Sequence, residues 1–353
     1  NTAANTSAGQ ESGAATTGVA TNYTTEDADA SWSEAEASAV IQLNGSSIEV
    51  NGAGATAQGS TLTISSGGQY VISGTLSDGQ IVISAPKTDT VQLVLNGVDI
   101  TSNTSAAIYD AQADKLVITL AEGSENTLTD AAGYTYADET AEEPDAAIFA
   151  KNDLTINGSG SLVVNGNFNN GIGAKDDLLI VSGSITVTAA NHGLRGRDSV
   201  TVLDGALVVN AGSDGIQANN DEDAAKGWIT LAGGSLDITA ASDGIQAETA
   251  LTVTGGEYKI VAGGGNTSSG VVTANESDSY KGMKSGVSIA ISGGDINIDS
   301  ADDSVHSNGD IAITDGVLAL ASGDDGIHAD GDLTVSGGTI HVTTSYEGME
   351  AYT

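Results

Sequence analysis

Cysteine is absent from the 353-residue chain. Its absence excludes a disulfide framework, a thiolate zinc site and a cysteine nucleophile. Positive charge is scarce: 10 Lys and Arg stand against 47 Asp and Glu, for a formal net charge of −37. Such a chain repels phosphate backbones and anionic lipid surfaces, which excludes nucleic acid as a partner and leaves cations as the natural counterpart. An anionic polymer could be reached only through bridging metal ions. Proline occurs twice and aromatic residues make up 4% of the chain, so stacking platforms are few. No apolar run approaches the roughly 20 residues that a membrane-spanning helix needs, so no membrane insertion is expected. The first residue is Asn1 rather than Met, so the lack of an export signal, which a processed chain would already have lost, says nothing against export. Little Lys beside abundant Thr, Ser, Asn and Gly points to an extracellular or cell-surface location.

What the sequence does contain is a repeat. Residues 1–38 have no apolar periodicity and read as a low-complexity leader or linker, disordered or ordered only by a partner. Residues 39–353 read as short alternating strands broken by glycine, such as Thr61-Leu-Thr-Ile-Ser65 and Leu116-Val-Ile-Thr-Leu120. In the second half, pentads such as Asp214-Gly-Ile-Gln-Ala218, Asp303-Ser-Val-His-Ser307 and Asp325-Gly-Ile-His-Ala329 recur. Their apolar members are Ile172, Leu194, Ile216, Ile245, Met283, Val305, Ile327 and Met349, spaced by 22 residues except for steps of 29 and 38. Between pentads lie two further short strands hinged on Gly-Gly or a similar pair, as in Leu333-Thr-Val-Ser-Gly-Gly-Thr-Ile-His-Val342. Such a unit cannot bury its own apolar side alone, and stacking supplies the core. The expected fold is all-β: a right-handed parallel β-helix with about 22 residues per coil, with rungs about 4.8 Å apart. A propeller would need four-stranded blades, and the calcium-binding nonapeptide GGxGxDxUx is absent.

With this period, residues 22 apart lie over one another. The column before the pentad glycine reads Lys281, Asp303, Asp325, Glu347, with Asp214 and Asp243 further down, and its neighbour reads Tyr280, Asp302, Asp324, Tyr346. Like charges at such a spacing repel by about 1 kcal/mol in water and a few kcal/mol near a protein surface. A cation relieves that repulsion, and calcium suits it, since it takes six to eight oxygens, bidentate carboxylates included. Asp302, Asp303, Asp324, Asp325, Glu347, Asp214 and Asp243 are therefore the candidate metal ligands. The alternative is that Asp-Gly is only turn chemistry repeated with the coil. His306 and His328 stack in a neighbouring column, face away from the apolar residue and read as surface residues. Tyr280, Tyr346, Trp228 and Lys281 are the candidate glycan contacts, each with packing as its alternative. Insertions at Asn219–Lys226 and Gly263–Asp278 bring Asp221, Glu222, Asp223, Glu276 and Asp278 near the same corner.

Several stretches carry a resemblance. Gly68-Gln-Tyr-Val-Ile-Ser-Gly-Thr-Leu76, Val94-Leu-Asn-Gly-Val-Asp-Ile100, Asn126-Thr-Leu-Thr-Asp130, Ala147-Ile-Phe-Ala150, Lys281-Gly-Met-Lys284 and the two Asp-Asp turns resemble the bacterial calcium-binding, carbohydrate-binding β-helix domain described from cellulolytic clostridia. The similarity runs from about residue 40 to the end. It implies a non-catalytic, secreted or surface-anchored protein that binds calcium, through its acidic pairs, and a polysaccharide of the cellulose or pectin class. The family usually continues past the Glu-Gly-Met turn into a further coil, whereas this sequence stops at Thr353. Two other readings stand beside it. One is a structural protein whose exposed coil ends or leader mediate homo-assembly end to end. The other is a calcium-dependent, pectate-lyase-like enzyme using Arg195, Arg197, Lys281 or Lys284 as a base; no catalytic residue is assigned.

Overall fold

The computed structural model describes residues 23, 24, 27–136, 138, 140, 142–267 and 279–352. Among these residues every regular element is a strand, and no helix is long and apolar enough to cross a membrane. The strands form one 20-stranded and one 13-stranded sheet, paired almost wholly in parallel between successive turns of the chain, a β-helix-like solenoid. The pentad strands build the 13-stranded sheet in the expected register. Ile172 pairs with Leu194, Leu194 with Ile216, and so on through Ile245, Met283, Val305 and Ile327 to Met349. The two irregular steps are absorbed without a slip. One continuous apolar core runs inside, with Ile216, Ile245, Met283, Val305 and Ile327 completely buried.

The other two strands of the repeat fall in one sheet because in two coils they run on without a break across the hinge, Gly293-Gly294 in one and Asp315-Gly316 in the other. Ser288–Ser300 and Asp310–Ser322 are single strands, and their mutual register shifts between Ile291 and Asp295, where the chain turns the corner. At the hinge, Gly294 and Gly316 adopt φ of 97° and 111°, a region that side chains avoid. The pentad glycines below the last rung answer to a different cause, close approach. A Cβ on Gly282 would lie 2.2 Å from Ile298 Cγ2 and 2.5 Å from the Ser304 carbonyl oxygen.

The solenoid begins with two antiparallel hairpins. Strand β1 (Ala39–Gly45) pairs with β2 (Ile48–Gly52), and β3 (Ala55–Gln58) with β4 (Thr61–Ile64). β1 and β4 then start the two parallel ladders, against Gly68–Leu76 and Gln80–Ser84. Strand β1 starts at Ala39, where the leader was expected to end, but residues 27–38 also lie against the solenoid. Asp27 is buried; its carboxylate accepts hydrogen bonds from Lys115 Nζ and Thr155 Oγ1, each at 2.8 Å, and its carbonyl accepts one from Asn157 Nδ2 at 2.9 Å. The Ser31 carbonyl accepts from Gln69 and Gln92, and Trp32 and Ala37 pack on Val71, Val94 and Ala121. This segment is therefore held by its own chain rather than by a partner. Residues 1–22, 25 and 26 of the expected leader lie outside the described residues.

Candidate carboxylate ladder

The column that the sequence pattern assembles has a structural role in every coil that carries an Asp. Asp214 Oδ1 accepts the backbone N–H of Asp243 at 3.1 Å, and Asp243 Oδ1 that of Lys281 at 2.7 Å. Asp303 Oδ1 accepts from Asp325 N, and Asp325 Oδ1 from Glu347 N, both at 3.0 Å. One oxygen of each Asp thus ties its rung to the next. A hydrogen bond to a charged group of this kind is worth about 1.5–3 kcal/mol, which explains why Asp214, Asp243, Asp303 and Asp325 are tolerated at 2–5% exposure.

The second oxygen of Asp214, Asp303 and Asp325 faces the side chain three residues on, and that of Asp243 faces a lysine of the next rung. Asp214 Oδ2 accepts from Gln217 at 2.8 Å, and Asp243 Oδ2 lies 3.6 Å from Lys284 Nζ. Asp303 Oδ2 and Asp325 Oδ2 lie 2.8 and 3.1 Å from the Nδ1 atoms of His306 and His328. The histidines point away from the core as expected, but they are not idle surface residues. They are partly buried partners of the ladder, and their ring centroids lie 4.9 Å apart. The sequence signal was available in Asp303-x-x-His306 and Asp325-x-x-His328, aligned with Asp214-x-x-Gln217.

The neighbouring column holds the less constrained carboxylates. Asp302, Asp303 and Asp324 each place a carboxylate oxygen within 4.8 Å of the other two. Lys281 is the positive charge among them: its Nζ is hydrogen-bonded to Asp302 and lies 3.5 Å from Asp303 Oδ2, with 14% of its side chain exposed. Burial works to raise the Asp303 carboxyl, but the His306 hydrogen bond, the Lys281 charge and the Asp325 N–H outweigh it and hold it below the usual range. Asp324 has no such compensation. Burial, and then the charges of Asp303, Asp325 and Asp302, push it upward despite Lys281. The donor set is acidic and all oxygen, which fits a hard cation, and the Lys281 ammonium competes for the same place.

The remaining candidates are scattered. Glu347 and Tyr346 are exposed on the last rung, Tyr346 at 83%. Tyr280 lines a polar depression of about 210 Å³ with Asp214, Asp243, Gln246, Ser279 and Lys284. Trp228 opens the strand Trp228–Leu231 in the 20-stranded sheet, where it pairs with Ser199, so it does not join the ladder column. Of the insertion residues, Glu222 bonds Arg197, while Glu276 and Asp278 lie outside the described residues. Arg195 is paired with Asp145 at 3.1 Å. A shallow groove of about 310 Å³ on the long sheet, lined by Val208, Asp237, Tyr258 and Lys259, includes no ladder residue.

Three likenesses bear on this site. A solved structure of a polysaccharide lyase-like protein from C. thermocellum, a gadolinium derivative, superposes with a TM-score of 0.59 at 30% identity, covering 85% of this chain and 99% of that one. A carbohydrate-binding domain-containing protein of Acetivibrio thermocellus is 49% identical over 122 residues, 35% of this chain and 43% of that protein. The aligned region thus covers less than half the length of that relative. The family model for carbohydrate-binding domain-containing proteins matches residues 58–326, most of the solenoid. The chain belongs to the family of carbohydrate-binding domain-containing proteins.

Proposed function

We propose that this protein is a secreted or cell-surface module that binds polysaccharide of the cellulose or pectin class through bound calcium and does not cleave it. The observation that carries the reading is the convergence of the Asp302, Asp303 and Asp324 oxygens within 4.8 Å, beside the upward-shifted Asp324. A calcium ion there would take the place of the Lys281 ammonium, with Asp325 and Glu347 on the adjoining rungs and Asp214 and Asp243 lower in the column. Tyr280, Lys281 and Tyr346 flank the carboxylates and are the nearest glycan contacts; Trp228, on the other sheet, would serve only a separate one. We read the winding as right-handed, the hand of nearly all parallel crossover connections.

One observation favours binding over lyase chemistry. Arg195, Arg197 and Lys281, considered as bases, are each bonded to a carboxylate, of Asp145, Glu222 and Asp302 respectively. The test is retention on insoluble cellulose and on calcium-pectate gel, in calcium and then in chelator, with product absorbance followed on polygalacturonate. Retention lost in chelator, without unsaturated product, is expected. Failure to be retained in either condition would overturn the reading, and unsaturated product would replace it with a lyase.

A further inference from the structure

Next to the all-oxygen cluster the same corner holds a donor set of different chemistry. His306, His328 and Glu350 occupy one register position on three successive rungs. His328 Nδ1 lies 3.1 Å from Asp325 Oδ2 and 3.3 Å from Glu350 Oε2, while His306 Nδ1 lies 2.8 Å from Asp303 Oδ2. The outer ring nitrogens face Asn308 Oδ1 at 3.0 Å and Asp330 Oδ1 at 3.2 Å. Two triads result, Asp303–His306–His328 and Asp325–His328–Glu350. In each, the three ligand atoms lie within 4.8 Å of one another, and the triads share His328.

We infer that these residues form a site for one divalent transition ion of the zinc class, separate in chemistry from calcium. Imidazole nitrogen is a poor calcium donor and a favoured one for zinc, cobalt, nickel and copper, and two imidazoles with one or two carboxylates match the four-coordinate preference of zinc. Two ligand atoms on one zinc ion stand at most about 4.2 Å apart, since each bond is about 2.0–2.1 Å. At the tetrahedral angle the separation is about 3.4 Å, so closing a spread of up to 4.8 Å calls for side-chain movements of about an ångström on the distal atoms. The scaffold is suited to that. The ligands project from paired strands rather than loops, and the buried Asp303 and Asp325 are fixed by the backbone N–H groups of the next rung. Four carboxylates, of Asp303, Asp325, Asp330 and Glu350, surround two imidazoles and leave a strongly negative site for a doubly charged ion.

This inference does not rest on the calcium reading, although Asp303 belongs to both donor sets. The full chain, stripped with chelator and resupplied with calcium, is titrated with zinc by calorimetry and with cobalt(II) in the visible spectrum. One equivalent of zinc and a cobalt spectrum of low-coordinate, nitrogen-containing type are expected. His306→Gln and His328→Gln, each verified as folded by circular dichroism, should abolish the cobalt bands, and Glu350→Gln should weaken zinc by about 10-fold. Zinc binding that is absent, or unchanged in the double histidine variant, would overturn the inference. Calcium affinity is measured separately on the same sample. A protein that takes zinc but no calcium would sustain this site while removing the calcium reading.

Discussion

Asp110 is an acid in an apolar column. It lies on the strand Ile108–Gln112 between Ile83 and Ala150, both completely buried, and is itself completely buried, with neither oxygen in hydrogen-bonding geometry. Burial pushes its carboxyl up from 3.8 to about 6, and the nearby Gln112 N–H and Asn152 only soften the effect. At 1.36 kcal/mol per unit, a shift of about two units corresponds to about 3 kcal/mol. The sign follows from linkage. The folded state holds this proton more tightly than the unfolded state does, so the contribution is fully present below the unfolded value of 3.8 and is lost as pH rises through about 6. Asp110→Asn keeps the shape and removes the titration. Its stability relative to the parent should therefore rise by about 2.4 kcal/mol between pH 4 and pH 7, most of the whole effect. The assay is urea denaturation of both proteins across that range, in chelator so that metal does not contribute. Taking the difference cancels the many other carboxylates. A difference that stays flat with pH would refute the assignment of an unpartnered, buried carboxyl at this position.

Three further outcomes are expected. Asp27→Ala removes a carboxylate that burial raises but the Lys115, Thr24 and Thr155 hydrogen bonds hold below its usual value; the segment before Ala39 should become sensitive to limited proteolysis, and the parent should lose the same protection as pH falls below about 4. Gly282→Ala places a Cβ 2.2 Å from Ile298 Cγ2, whereas Gly348 has open space around it; thermal melting should show the first destabilised by about 1–3 kcal/mol and Gly348→Ala close to neutral. Asp303→Ala strands the Asp325 N–H and should cost about 1–3 kcal/mol in chelator. Asp303→Asn keeps that acceptor and should cost less, and calorimetry should find its calcium affinity reduced.

The second half of the solenoid was legible because one apolar residue marks each rung and its spacing is nearly constant. The register from Ile172 to Met349 follows from that spacing alone, insertions included. The first half was less legible, since its rungs are uneven: Leu93 pairs with Ile118 but Ile118 with Ile156. Residues 27–38 were read as a linker because polar hydrogen bonds to Lys115, Thr155 and Asn157, which leave no periodic trace, hold much of the segment. Counting stacks the Asp column as the structure does, yet counting treats an Asp as a charge. Its inner oxygen, bonded to the backbone of the next rung, follows from geometry that no residue pattern encodes. Trp228 was offered as a glycan contact on residue type alone; the structure places it at the start of a strand of the other sheet, away from the ladder.

The docking of Asp27 also sets an order of events. Its partners Thr155 and Asn157 lie 128 and 130 residues downstream. A chain synthesised from its N-terminus at 5–20 residues per second cannot close that clasp until roughly 10 s after Asp27 emerges. The early rungs can therefore be fastened only once Thr155 and Asn157 are in place. Once closed, the clasp ties strands that begin at Gly68, Thr90, Lys115 and Asp153 into one unit. A solenoid's stability is ordinarily a sum of terms between neighbouring rungs; here the clasp adds contacts that span several N-terminal rungs at once and so opposes their opening one by one.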